Sequence, residues 1–265
     1  MIMASLQLFS LAGKTALVNG ANAAGGYEIA SGLAAAGASV YLSDADDTAL
    51  TGLADRLRAE GLQTAGCFRY EPGTEAAALA LRDWIGLLCG APDILVDNAT
   101  GPLRKGWDLS FDEIDADLKR TQLGLMLTTR HIGGLMAERG CGSVIFITDY
   151  AALVGCDANL YEEAPEQFAP DFSLTYGFVK GSLVNYTRQA AGFLGEHQVR
   201  CNCIAFAPVQ GSVPQGFADA FTRHAHLKRL ATTTDIQGAI VFLASDASAY
   251  ITGVTLPVDG GYTAK

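Results

Sequence analysis

A chain of 265 residues with 49% hydrophobic content can bury one large core, and doubly wound sheets reach this size as a single domain. Its 18 Lys and Arg against 28 Asp and Glu give a net charge of −10 and a pI near 4.8, which argues against a nucleic-acid or anionic-membrane surface. Small molecules are the expected partners. The longest charge-free run, Cys201–Ala218, holds two prolines and several amides, so no membrane span is expected. Met1–Gln7 lacks the basic start of a signal peptide, and the cytoplasm is the expected compartment. The six cysteines form no CxxC pair and read as reduced, mainly buried thiols. The four histidines show no ligand spacing with acids or thiols, so no metal is expected.

Lys14 to Asp44 reads KTALVNGANAAGGYEIASGLAAAGASVYLSD: an apolar run at Ala16–Val18, a Gly-rich turn, an amphipathic helix and a second strand closing on an acid. That order is what a dinucleotide site needs. Glycines let the backbone turn tightly and approach a pyrophosphate, and the helix start near Gly26 offers free N–H groups to the phosphate charge. A carboxylate after the next strand can take the ribose hydroxyls. Asp44 stands eighteen residues beyond Gly26, near the expected interval. Gly20, Asn22, Gly25 and Gly26 are the turn residues expected to face the cofactor. A plain βαβ unit with a glycine-tolerant turn is the bland alternative.

Gly20-Ala-Asn-Ala-Ala-Gly-Gly26 resembles the TGxxxGxG turn of the short-chain dehydrogenase/reductase family, with Asn19 where that family has Thr and Ala24 where it has the middle Gly. The resemblance implies a single-domain, Rossmann-like α/β fold, a doubly wound parallel sheet of about seven strands with helices on both faces. Asp46–Glu60 reads as a helix and Gln63–Phe68 as a strand, followed by Phe68-Arg-Tyr-Glu-Pro72 with no Asp for the adenine amino group. Thr74–Leu88 is a further helix and Asp93–Asp97 a short buried strand. Asp97-Asn-Ala-Thr100 resembles the family's NNAG, which implies that Asn98 and Ala99 steady the central strand and line the nicotinamide side.

Ser110-Phe-Asp-Glu113 is a capping box that opens a long helix to about Arg139. The family's proton-relay Asn lies three residues before Gly124, and Thr121 occupies its place. Gly142–Thr148 is a β-rich run. Asp149–Phe172, acidic and holding Pro165 and Pro170, is too long and polar for a simple connection and reads as a lid beside the substrate, or as a solvated excursion with no role. Ser173–His197 is a long helix and Val199–Ala205 the sixth strand. Val209 stands in the family's PG turn, a cofactor-lining position by resemblance. Thr234–Gln237 caps another helix, and Ala249–Gly261 resembles the family's C-terminal strand and tail. The resemblance covers Leu11 to Tyr262.

Hydride transfer between a nicotinamide and a carbonyl needs a group to give or take the hydroxyl proton. A Tyr with a pKa near 10 is a poor base until a nearby ammonium stabilises its phenolate. Tyr176 and Lys180, four apart on one helical face, supply that pair, against the alternative of an exposed helical Tyr and Lys. By resemblance both also line the cofactor, Lys180 as a ribose ligand.

Aligning Ile147-Thr-Asp-Tyr-Ala-Ala-Leu-Val-Gly155 with the family's ISSxxGxxG puts Thr148 at the first Ser and Asp149 at the second, catalytic one. An ionised Asp cannot donate, and its charge raises the Tyr176 pKa. Three arrangements reconcile Asp149 with catalysis: it stays protonated as a donor, Thr148 takes over, or the substrate carries a positive group.

The sequence therefore points to an NAD(H)-linked oxidoreductase acting on a small alcohol, ketone or imine, with NAD(H) preferred over NADP(H) because Asp44 repels a 2′-phosphate. Non-redox chemistry as in the related halohydrin dehalogenases, and a binding protein with a decayed site, are the alternatives. A homotetramer or homodimer is expected through the two long helices, with Leu123, Leu125, Leu127, Leu183 and Phe193 as apolar surface.

Overall fold

Successive residues of each strand divide between two apolar layers, as a sheet buried on both faces requires. Val18, Leu42, Val96, Ile145 and Ile204 face one layer, while Leu17, Tyr41, Leu95, Val144 and Phe146 face the other. In the computed structural model, which describes residues 6–62, 64–98, 103–163, 166 and 172–264, the strands are β1 (Thr15–Asn19), β2 (Ser39–Asp44), β3 (Thr64–Arg69), β4 (Ile94–Asp97), β5 (Gly142–Asp149), β6 (Val199–Phe206) and β7 (Thr255–Val258). They form one parallel sheet in the order β3-β2-β1-β4-β5-β6-β7.

The helices, in chain order, are α1 (Gly26–Ala35), α2 (Asp47–Ala59), α3 (Glu75–Cys89), α4 (Phe111–Leu118), α5 (Gly124–Arg139), α6 (Tyr176–Gly195), α7 (Gln215–His224) and α8 (Thr233–Ala244). The first layer is closed by α1, α2 and α8 and the second by α3, α5 and α6. This is the doubly wound, Rossmann-like fold expected from the sequence. The chain reverses the order of strand addition between β1 and β4, and the crevice at their C-terminal ends is where such sheets bind ligands.

Several elements depart from the sequence reading. The helix opened by the Ser110–Glu113 capping box is not continuous. A π turn, Lys119–Leu123, separates α4 from α5 and carries Thr121. The start of α8 is capped by Thr232, whose hydroxyl and backbone N–H both reach Asp235, rather than by Thr234. Helix α7 was not read from the sequence, because it follows a charge-free stretch that carries turn residues. Its Phe221 packs with Leu160, Ala207 and Tyr262 in a small third cluster.

Of the cysteines only Cys201 and Cys203 are buried. Cys67, Cys141 and Cys156 are exposed, which corrects the expectation of mainly buried thiols. Leu125, Leu127 and Leu183 belong to the buried core, so they are not outward apolar surface as expected. Leu123 and Phe193 are exposed, and Met126 and Phe178 join them on α5 and α6.

The cap assignment has a direct consequence. Thr232→Ala should cost about 1 kcal/mol of stability in urea denaturation, the usual magnitude for a lost N-cap, and Thr234→Ala a few tenths at most. Equal losses would place the cap at Thr234 after all.

Candidate active site

The first functional group of residues lies at the β1/β4 switch. Asn19 and Asp97, both departures from the family pattern, are register partners and bond to each other, Asn19 Nδ2 donating to Asp97 Oδ1 at 3.4 Å. Ser43 Oγ donates to Asn19 Oδ1 at 3.1 Å, so one buried side chain links β2, β1 and β4. Asn98 Nδ2 donates to the carbonyls of Gly20 and Ala24, both at 3.2 Å, and its backbone N–H to Asn19. The Gly-rich turn is thereby tied to the end of β4. Ala99 lies outside the described residues.

The turn then feeds α1 through Gly25 at φ +81°, a left-handed conformation that disfavours any side chain. A Cβ on Gly26 would stand 2.1 Å from the Ala21 carbonyl oxygen. No side chain caps the start of α1; the Gly26 N–H bonds the Ala23 carbonyl at 2.9 Å, which leaves the N–H groups that follow it in the first turn to meet an anion. Asp44, at the end of β2, accepts from the Asn22 N–H at 2.9 Å. It lines a cavity of about 230 Å³ with Asn19, Gly20, Asn22, Ala23, Tyr70 and Arg120. An uncapped helix start and a carboxylate beside a tight glycine turn fit a dinucleotide. Arg120, from the π turn, was missed by a search for basic residues confined to Ala45 and the turn. Its Nη2 lies 3.5 Å from the buried Asp117 carboxylate.

The second group converges where β5 ends. Asp149 closes β5, and Tyr176 and Lys180 project from the first turns of α6. Tyr176 Oη donates to Asp149 Oδ2 at 2.5 Å, and Lys180 Nζ lies 3.3 Å from the same oxygen. Asp149 Oδ1 accepts the Ala151 N–H at 2.9 Å. The carboxylate thus acts as an acceptor on both sides, and Lys180 Nζ stands 5.6 Å from the Tyr176 ring centroid. Asp149 and Lys180 are only 19% and 12% exposed in their side chains, so water screens the contact weakly. Burial first, then the Asp149 charge and hydrogen bond, push the Tyr176 phenol well above its ordinary value, with smaller contributions from Tyr150 and Tyr161.

Three other sequence candidates have their polar groups engaged elsewhere. Thr148 is buried and its hydroxyl donates to the Lys180 carbonyl at 3.1 Å, clamping β5 to α6 instead of facing a substrate. Thr121 is buried in the π turn, with its hydroxyl donating to the Asp117 carbonyl at 2.6 Å. The Val209 N–H donates to Ser212 Oγ at 3.1 Å.

The acidic connection after β5 was expected to pack loosely. Its described part is anchored: Leu160 is buried, Tyr150 meets the Phe221 and Tyr262 rings edge-on, and Arg223 of α7 pairs with Glu162. Residues 164, 165 and 167–171 lie outside the described residues.

A family model described as enoyl-(acyl carrier protein) reductase, of the short-chain dehydrogenase type, matches residues 20–263. The chain is 30% identical over 259 residues to the 7α-hydroxysteroid dehydrogenase of Escherichia coli K12, covering 95% of this chain and 94% of that protein. It is 31% identical over 265 residues to the D-threitol dehydrogenase of Mycolicibacterium smegmatis, covering 97% and 95%. A gluconate 5-dehydrogenase from Burkholderia cenocepacia, crystallised with NADP and tartrate, superposes with a TM-score of 0.85 at 26% identity, covering 98% of this chain and 99% of that one.

The environment of Tyr176 predicts its titration. The folded phenol should keep its proton at alkaline pH where the unfolded one, near 10, loses it. This group's contribution to stability is therefore complete below about pH 10 and declines as pH rises further. Subtracting the phenolate absorbance titration of Tyr176→Phe from that of the wild type isolates the group. Asp149→Asn should move its ionisation downward, and an ordinary titration in the wild type would contradict the geometry.

Proposed function

The chain belongs to the short-chain dehydrogenase/reductase family of oxidoreductases, and on that premise we propose that it moves a hydride between NAD(H) and a small alcohol, ketone or imine, with Tyr176 as acid/base. The observation that carries the reading is the convergence of Tyr176, Lys180 and Asp149 at the C-terminal edge of β5, on the same edge of the sheet as the Gly-rich turn. The bound nicotinamide supplies or accepts the hydride. Gly20, Asn22, Gly25 and Gly26 would hold the pyrophosphate side, Asp44 the adenosine ribose, and Lys180 the nicotinamide ribose. Asn98 is a positioning residue that holds the turn.

When an alcohol is oxidised its hydroxyl proton passes to Tyr176 Oη as the phenol's own proton moves to Asp149 Oδ2. The short contact between those two oxygens supports this relay. A raised phenol pKa opposes a free phenolate, so the carboxylate is the eventual acceptor. Thr148 and Thr121 support the arrangement through the backbone and are proposed as positioning residues.

Preference for NAD(H) is proposed on Asp44, whose carboxylate occupies the end of β2 beside Asn22, where a 2′-phosphate would meet like charge. The gluconate 5-dehydrogenase neighbour holds NADP, so the fold itself admits either dinucleotide. Retention of Lys180 and Asp44 argues against the non-redox alternative. Exposed Leu123, Met126, Phe178 and Phe193 on α5 and α6 support association as a tetramer or dimer.

NADH should bind at least about tenfold more tightly than NADPH in a fluorescence titration, roughly the 1.4 kcal/mol that a repelled charge readily supplies. Equal or tighter NADPH binding would reject the preference. Tyr176→Phe should lower kcat about 10²-fold or more with NADH affinity unchanged, and a variant as active as the wild type would remove Tyr176 from the chemistry. Light scattering at micromolar concentration should give a multiple of the 27.8 kDa chain mass, and a monomer would reject the association.

A further inference from the structure

We propose that the reacting carbon of the substrate is bonded to nitrogen, as in a secondary amine or a cyclic iminium, and that Asp149 binds that nitrogen as a cation. The inference rests on the oxidoreductase reading and names the substrate class of that site.

The donors and acceptors of the site have the polarity for nitrogen. A ketone being reduced gathers negative charge on oxygen and needs hydrogen-bond donors aimed at it. Here both candidate donors, Tyr176 Oη and Lys180 Nζ, point at Asp149 Oδ2, at 2.5 and 3.3 Å. Thr148 and Thr121, the hydroxyls that stand beside and at the family's catalytic positions by resemblance, donate to backbone carbonyls instead. A carboxylate beside the Tyr176 oxygen opposes an alkoxide forming there.

Amine oxidation develops the opposite charge. The C–H bond breaks and its electron pair leaves with the hydrogen to the oxidised nicotinamide, while the nitrogen lone pair forms the C=N bond. A neutral amine becomes an iminium cation and loses no proton in that step. An ammonium first gives one proton to solvent, which leaves Asp149 ionised for the step. The reverse reaction adds hydride to the iminium carbon and returns the pair to nitrogen. In the oxidation direction the carboxylate stabilises charge that appears only as the hydride departs, which is the condition for accelerating the step.

The walls are aromatic. Tyr150 and Tyr161 are close enough to Tyr176 to raise its phenol, and Tyr150 packs on Phe221 and Tyr262 while Tyr161 packs on Phe217. The groups that face Tyr176 are Asp149, Tyr150, Tyr161 and Lys180, so Lys180 is the one cation among the described groups acting on it. Asp149 holds that cation on Oδ2, and Oδ1 takes a backbone N–H.

The test uses the full chain loaded with NADH and two bicyclic compounds of similar size, 1,2,3,4-tetrahydroisoquinoline against 1-tetralol, with binding read by calorimetry. The wild type should prefer the amine, and Asp149→Asn should weaken amine binding about 10- to 100-fold while changing the alcohol little, the range of a lost charge-assisted hydrogen bond. Turnover should follow, with 3,4-dihydroisoquinoline reduced faster than 1-tetralone, and Asp149→Ser should reverse that order. No preference for the amine in the wild type, or a preference that survives both substitutions, overturns the proposal. Failure of both NADH and NADPH to bind would instead bring down the oxidoreductase reading beneath it, so the two failures are separable. Melting temperature and NADH affinity of each variant show that the fold and the dinucleotide site persist, and Asp149→Ser replaces Asp149→Asn if the latter does not fold.

Discussion

The β1/β4 crevice at the C-terminal edge of the sheet depends on one run of hydrogen bonds, from Ser43 through Asn19 to Asp97, joined by those of Asn98 to the Gly-rich turn. A parallel sheet aligns its strands through backbone bonds alone, and nothing in that ladder dictates how the loops beyond it sit. Side chains must do it. Asn98 bonds two turn carbonyls at once, adding to the Ala23 N–H that the Gly20 carbonyl already accepts, so the turn is held by side chain as well as backbone. The turn is therefore held against β4, and the uncapped start of α1 is fixed beside the crevice. Asn19 and Asp97 each look like a departure from the family when read singly. As register partners they are one paired change that preserves the link between β1 and β4.

The substrate end is governed by a different constraint, the sign of charge. A hydroxyl at the position of Asp149 gives and takes hydrogen bonds, whereas a carboxylate only takes them. With Tyr176 and Lys180 both turned toward it, the site presents an acceptor where relatives of this fold present a donor by resemblance. The ammonium that would lower the phenol pKa is shared with the carboxylate that raises it. Burial is the largest cause of the upward shift and the Asp149 charge the next, so the phenol keeps its proton well above its ordinary range.

The π turn at Lys119–Leu123 shows how a local irregularity serves the same edge. An extra residue in one helical turn rotates the next turns of helix about the axis, and such turns occur at functional sites. Here it turns Thr121 inward onto the Asp117 carbonyl and puts Arg120 on the wall of the cavity beside Asp44. Asp117 itself is fully buried and is held by Arg104, Arg120 and Thr175, which join α4 to the residues just before α6. Helix α6, which carries Tyr176 and Lys180, is thus positioned from two sides, by Thr148 on β5 and by Asp117 on α4.

Much of this was legible in the chain. Apolar runs of strand length alternating with amphipathic stretches specify a parallel sheet covered on both faces, since period and length are local properties. The Gly-rich turn, Asp44 at its interval, and Tyr176 four residues before Lys180 were likewise readable, because backbone freedom and helical spacing belong to short segments. What the sequence could not decide was where each polar group points. Thr148 and Asp149 are neighbours, yet one hydroxyl clamps a helix and the other side chain enters the site, a difference set by strand pleat and by α6 packing across it. Thr121 fell in a π turn that no periodicity announces. Leu125, Leu127 and Leu183 read as spare apolar surface until the second layer buried them, and the exposed thiols read as core until the strand edges left them out. Local chemistry determined the elements and the candidate groups; the pairing of Asn19 with Asp97, of Arg120 with the cavity beside Asp44 and of Tyr176 with Asp149 was decided only in the tertiary structure, because each joins residues distant in the chain through contacts that packing alone creates.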